Sequence, residues 1–264
     1  MKNILLFGLL LIGNFACDSR SRNSIYTVAD PVSDSIGALI NKDSVVFKND
    51  TIAIYKIDSI DFFNHRSKAK LVLDTIPYIS DFEKAKDLLK GKVTFGGYNS
   101  DTNKIDSTVD GEMIYSVYPS VGKTIISNEQ EYFWDAGFVH YYPTLDILLC
   151  EGGHTSDFSI DLRNGKIGAD IVGNPAYISV SPTDIYRLNG WFPGQECSDY
   201  FLQKKTAQGY QLLARIPMHI SKEGFDFCTL KDYYWINDDT LYFRNFYYGA
   251  PDDSRLGFFR LQIN

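Results

Sequence analysis

Residues 158–168 read "FSIDLRNGKIG", and their reading decides the fold class. Phe158, Ile160 and Leu162 alternate with Ser159 and Asp161. A period of two places one apolar row on one face of a strand and leaves a polar row on the other. Asn164-Gly165 then supplies turn chemistry, because glycine adopts positive φ without steric cost. The same signals recur elsewhere. Asp110-Gly111, between "STV" and "EMIYSVY", reads as a second hairpin. "SVVFK" (44–48) and "TIAIYKI" (51–57) read as a strand pair joined by Lys48-Asn49-Asp50. Ala69, Leu71 and Leu73 alternate with Lys70, Val72 and Asp74. Phe259, Leu261 and Ile263 alternate with Phe258, Arg260 and Gln262.

One helix interrupts this pattern, over residues 81–90. Ser80-Asp81-Phe82-Glu83 has the spacing of a capping box, in which Ser80 and Glu83 satisfy each other's orphan N–H groups. Phe82, Ala85, Leu88 and Leu89 share a face, and Gly91 is the expected stop.

A weak repeat links the strands. "YPTLDILL" (142–149), "SPTDIYRL" (181–188) and "NDDTLYFR" (237–244) each place a turn before a strand. A second strand follows each, at "DFSIDL" (157), "DYFLQK" (199) and "LGFFRL" (256). "NDTIAIYK" (49–56) with "AKLVLD" (69) fits the same scheme. Repeated strand–turn–strand units suggest blades. The expected fold is therefore all-β, a propeller-like or partial-propeller domain over residues 43–264. A β-sandwich or curved antiparallel meander is the alternative.

Charge narrows the partners. The formal net charge is −7 and no long basic run occurs. Phosphate binding depends on Lys and Arg clusters, so nucleic acid is not expected. Aromatic residues make up 15% of the chain, which suits half-buried pleated surfaces.

The first residues address the compartment. Residues 4–12, "ILLFGLLLI", are apolar. Nine residues fall short of the roughly 20 that span a bilayer, but suit the h-region of a secretory signal. Asn14-Phe15-Ala16-Cys17 follows. This segment resembles the signal and lipobox of bacterial lipoproteins. The resemblance implies a signal peptide over 1–16 and acyl chains, palmitate among them, on Cys17. It also implies a tether over 17–42 and a place in the cell envelope, at the outer membrane or cell surface. The partner expected from it is the membrane itself, reached through several acyl chains, since one alone binds marginally.

With Cys17 acylated, three cysteines remain. Cys197 and Cys228 lie near expected strand ends and are a candidate disulfide. Cys150, inside the apolar run "LDILLC", reads as a buried thiol. No Cys-x-x-Cys occurs, and no metal or other cofactor is expected.

Four stretches carry chemistry-bearing side chains. "CEGGHTSD" (150–157) gathers Glu151, His154 and Asp157, where a carboxylate could orient a histidine base. No Gly-x-Ser-x-Gly elbow accompanies it, and a polar loop accounts for the same letters. "NSDTNKIDSTVDGE" (99–112) concentrates Asp101, Asn103, Asp106, Asp110 and Glu112. Such oxygen density can hold Ca²⁺, but Ile105 breaks the EF-hand pattern. "NGWFPGQECSDY" (189–200) puts Trp191 and Phe192 in a loop, where rigid aromatics suit recognition. "NFYYGAPDDSR" (245–255) repeats the theme with Tyr247 and Tyr248. His65, His140 and His219 lack ligand spacing.

The expected function is non-catalytic binding of a protein, glycan or peptide through Trp191, Phe192, Tyr247 and Tyr248. Two alternatives stand beside it. One is an envelope or polysaccharide hydrolase using paired carboxylates such as Glu151 and Asp157. The other is an inhibitor of a secreted toxin, presenting an acidic face to a basic enzyme.

Overall fold

In a computed structural model, the described residues are 44–69, 76–129, 136–194, 197–220, 225–246 and 257–264. The signal segment, Cys17, the tether, nearly all of "AKLVLD", and Tyr247 with Tyr248 lie outside them.

The expected first strand pair forms. β1 (Ser44–Lys48) and β2 (Ile52–Ile57) are antiparallel. Asn49 builds the turn, its Oδ1 accepting from the N–H groups of Thr51 and Ile52 at 2.8 Å each. The last strands join this sheet. β17 (Thr229–Trp235), β18 (Thr240–Phe246) and β19 (Gly257–Ile263) complete the order β1-β2-β19-β18-β17. Both ends of the described chain thus share one sheet.

α1 (Ser59–Arg66) follows β2 and is not expected from periodicity. Its start is local: the Asp58 carboxylate caps it, accepting from Asp61 N–H at 2.7 Å. Phe62 is fully buried and packs on Tyr234, Tyr242 and Phe258, which lie on the outer face of the five-stranded sheet.

The expected helix is α2 (Phe82–Leu88), with two corrections. Its cap is Asp81, which accepts from Lys84 N–H at 2.8 Å, in place of Ser80. Leu88 is 54% exposed, because the short helix turns only Ala85 and Leu89 fully inward. Gly91, at φ +83°, follows its end.

α2 covers the inner face of an eight-stranded sheet. Its members are β3 (Val93–Asn99), β4 (Lys104–Asp106), β5 (Met113–Val117), β6 (Ile125–Ile126), β7 (Gly137–Tyr142), β8 (Ile147–Gly152), β9 (Ser156–Asp161) and β10 (Lys166–Ile167). Their order is β10-β9-β8-β7-β5-β3-β4, with β6 on β5. Asn164-Gly165 turns β9 into β10, with Gly165 at φ +69°. Asp110-Gly111 makes no such hairpin. β5 pairs with β3, which also pairs with β4. Gly111 has no positive φ; a Cβ there would meet Gly96 O and Gly97 Cα at 2.8 Å. Its glycine serves a close approach of backbones.

Ile160 and Leu162 enter the core, as their alternation implies. Ser159 and Asp161, expected on a solvated face, are buried too. The covering element is α3 (Ala169–Val172), which packs on β9.

The remaining sheet is a meander: β11 (Ser179–Val180), β12 (Tyr186–Trp191), β13 (Asp199–Thr206) and β14 (Gly209–Ile216). β15 (His219–Ile220) and β16 (Phe225–Asp226) form a separate pair. Leu188, Tyr200, Leu202 and Ile216 of the meander share a core with Ile52, Ile54, Leu241, Phe243, Phe259 and Leu261 of the five-stranded sheet. A Cys197–Cys228 disulfide joins the two, and Tyr200 Oη accepts from Leu230 N–H at 3.1 Å. Cys150 is a free, buried thiol whose pKa burial pushes up. The fold is all-β with short helices, and the expected antiparallel pairs β8–β9, β12–β13 and β18–β19 all form.

Candidate functional site

Trp191 is not in a loop. It is the last residue of β12, paired with Asp199 on β13, and the loop begins at Phe192. Both aromatics are half-buried. Their position is set by the start of β9, which reaches the end of β12. Asp157 N–H donates to Phe192 O at 2.7 Å, and Phe192 N–H donates to Asp157 Oδ2 at 2.8 Å. Asn174 Nδ2 donates to the same Oδ2 at 2.9 Å, while Asn174 N–H donates to Gly190 O at 2.7 Å. One carboxylate therefore ties the eight-stranded sheet to the four-stranded one. Gly173 permits this joint. At φ +72°, it would drive a Cβ to 2.4 Å from the Asn189 amide oxygen.

The joint lies on the face of β7–β9 opposite the α2 core. His140, Leu149 and Ser159 form one row across it. Tyr78 lies over His140, ring centroids 4.2 Å apart, and 5.7 Å from Tyr142. Burial raises the Asp157 pKa, against the Asn174 and Phe192 hydrogen bonds and the nearby His140, which lower it. Burial lowers the His140 pKa, against the pull of Asp157. The Tyr142 hydroxyl is pushed up to about 12, chiefly by burial, with Tyr78 and Asp157 adding to it.

Among the described residues, three buried polar atoms here have no hydrogen-bond partner: His140 Nδ1, Ser159 Oγ and Trp191 Nε1. A buried donor without an acceptor costs about 1–3 kcal/mol, so such groups call for a ligand or water. No hydrogen bond joins Ser159 to His140, so the pair lacks the contact of an activated nucleophile.

The other candidates separate. Glu151 is opposite Asp157 across β8–β9 but exposed, while Asp157 is committed to the joint. The His154 side chain is outside those described. In the 99–112 stretch, Asp106 accepts from Thr108 and Asn99, and these bonds lower its pKa. Its carboxylate builds a turn. Among the described residues no group of three His, Cys, Asp or Glu side chains is placed to hold a metal ion. His65 lies on α1, bonded to Asp61 O at 2.9 Å, and His219 on β15. Asn174 and Tyr78 complete the joint without any local sequence signal, because ordinary loop letters acquire their roles only from the strands they meet.

No family model matches this chain, and no curated protein or solved structure matches it.

The joint predicts a pH dependence. The ordinary histidine pKa is 6.5 and the folded value lies below it. Between the two, the unfolded chain binds more protons, so stability falls as pH drops below 6.5. Asp157 acts oppositely at lower pH. Its folded pKa lies above 3.8, so the native state binds more protons just above that value and gains stability as pH falls towards it. Urea midpoints should therefore decline on acidification from pH 7 to 5.5. His140→Gln should show a shallower decline; an equal slope would remove His140 as its source.

Proposed function

We propose that this chain is a lipid-anchored envelope protein whose β-rich body binds a protein, glycan or peptide ligand without catalysis, through Trp191 and Phe192. The observation that carries the reading is Trp191: a half-buried indole whose N–H has no acceptor, at the edge of a joint that holds Phe192 by its backbone. Large aromatics with little side-chain freedom are what recognition sites use. In this reading the anchor is Cys17, acylated after removal of residues 1–16, and 17–42 is the tether. Tyr247 and Tyr248, expected from the sequence to take part in binding, lie outside the described residues. The body is a partial propeller: the meanders β7–β10, β11–β14 and β17–β19 serve as blades, and the pairing of β2 with β19 supports a ring closed by the two chain ends.

One experiment tests anchor and site together. Full-length chain and two variants are expressed in a bacterial host, fractionated, and used to capture ligands from envelope extract. Cys17→Ser should move the protein from the membrane to the soluble fraction. Trp191→Ala with Phe192→Ala should stay in the membrane but lose capture about 30-fold, the equivalent of one hot spot of roughly 2 kcal/mol. Phe192 is held through its backbone, so the double variant keeps the Asp157 joint. Unchanged capture would remove this site from the proposal, and a membrane-bound Cys17→Ser would remove the anchor.

A further inference from the structure

Arg187 stands apart from the other charged side chains of the meander. It is half-buried on β12, its guanidinium 4.0 Å from the Tyr210 ring centroid. Its Nε donates to Gln203 Oε1 at 2.6 Å. Gln203 is itself buried and fixed, accepting from Asn189 Nδ2 at 3.3 Å and donating to Ile171 O at 3.4 Å. The outer edge of the guanidinium has no such engagement, and Arg187 makes no ion pair among the described residues. The nearest carboxylates are committed elsewhere. Asp184 holds Lys205 and the Tyr210 hydroxyl, and Asp161 holds Arg163 through two bonds of 2.9 and 2.7 Å. Burial is the main cause holding the Arg187 pKa down to about 10, with Arg163 adding to it, against the pull of Tyr210, Asp184 and Asp161.

A partly desolvated cation with no direct ion pair is costly, and a planar fork matches a carboxylate through two parallel hydrogen bonds. Stacking on Tyr210 fixes the plane of that fork. Exposed apolar side chains flank these charged groups. Leu212 lies opposite Gln203 on β14, so Arg187, Gln203 and Leu212 form one row across three strands. Leu212 is 49% exposed, Ile171 52% and Ile185 42%.

We propose that Arg187 is a binding site for a small carboxylate with an apolar tail. The carboxylate takes the free edge of the guanidinium, and the tail lies over Leu212, Ile171 and Ile185. The site is independent of Trp191. Asn189, between them on the same strand face, is fully buried beneath Gly173.

The probe is sodium octanoate, titrated calorimetrically into the full chain, with 1-octanol and sodium acetate as comparators. Octanoate should bind, and both comparators should bind at least about tenfold more weakly, one lacking the charge and the other the tail. Arg187→Met should weaken octanoate about 10- to 150-fold, the value of a charge-assisted hydrogen bond, without lowering the melting temperature. Arg187→Lys should restore only part, because an ammonium lacks the fork. If Arg187→Met does not fold, Leu212→Asp at its exposed position decides: it should repel octanoate by at least about tenfold. No octanoate binding, equal binding of octanol, or undiminished binding by Leu212→Asp or by folded Arg187→Met would overturn the proposal.

Discussion

Phe259→Ala is expected to lower the unfolding free energy by about 3–5 kcal/mol, the range for removing a buried phenylalanine. Phe259 is fully buried at the centre of the core between the five-stranded sheet and the meander. Its ring stacks on Phe243 at 5.4 Å and 21°, and meets Phe227 edge-on at 5.2 Å and 83°. Truncation removes both contacts and leaves a cavity lined by ring edges fixed on separate strands, which collapse poorly. Domains are stable by only about 5–15 kcal/mol, so the loss is a large fraction of the whole. In guanidinium titrations the midpoint should fall while the m-value holds, since native and unfolded surfaces barely change. A loss below about 1 kcal/mol would mean that these three rings do not carry the core.

The second large effect is removal of the disulfide. Cys197 and Cys228 are 31 residues apart in sequence, and closing a loop of that length lowers unfolded-chain entropy by the equivalent of about 3.7 kcal/mol. The Cys197→Ser, Cys228→Ser double variant should lose roughly 2–5 kcal/mol. Its m-value should rise, because the uncrosslinked denatured chain exposes more surface; this distinguishes it from Phe259→Ala. Reducing agent should produce the same loss in the parent and none in the double variant. Phe227 adjoins Cys228 and touches both Phe243 and Phe259. Combining the cysteine changes with Phe259→Ala should thus give a loss that is not the sum of the two. A parent insensitive to reductant would contradict the bond.

Much of the architecture is legible in the letters. Period-two alternation marks β9 and β19, and Asn164-Gly165 marks the turn after β9. Turn-before-strand spacing locates three antiparallel pairs, and a cap with a helical face locates α2. These are local signals, decided within a few residues by backbone sterics and by which side chains avoid water. Trp191 and Phe192 could be singled out as large aromatics near Pro-Gly, but not as parts of a strand end and a joint.

What tertiary structure alone decides is what each element meets. Ser159 and Asp161 alternate as solvated residues do, yet α3 covers them. Asp110-Gly111 looks like a hairpin turn, yet Gly111 is small because the backbone of Gly96 and Gly97 passes beside it. β2 pairs with β19 from the opposite end of the chain, Asp157 becomes the hub between two sheets, and the carboxylates near Arg187 turn to other partners. Periodicity reports that a strand has an inner face. It carries no information on the second layer, the distant partner strand or which charges pair directly, because those depend on contacts between residues far apart in sequence.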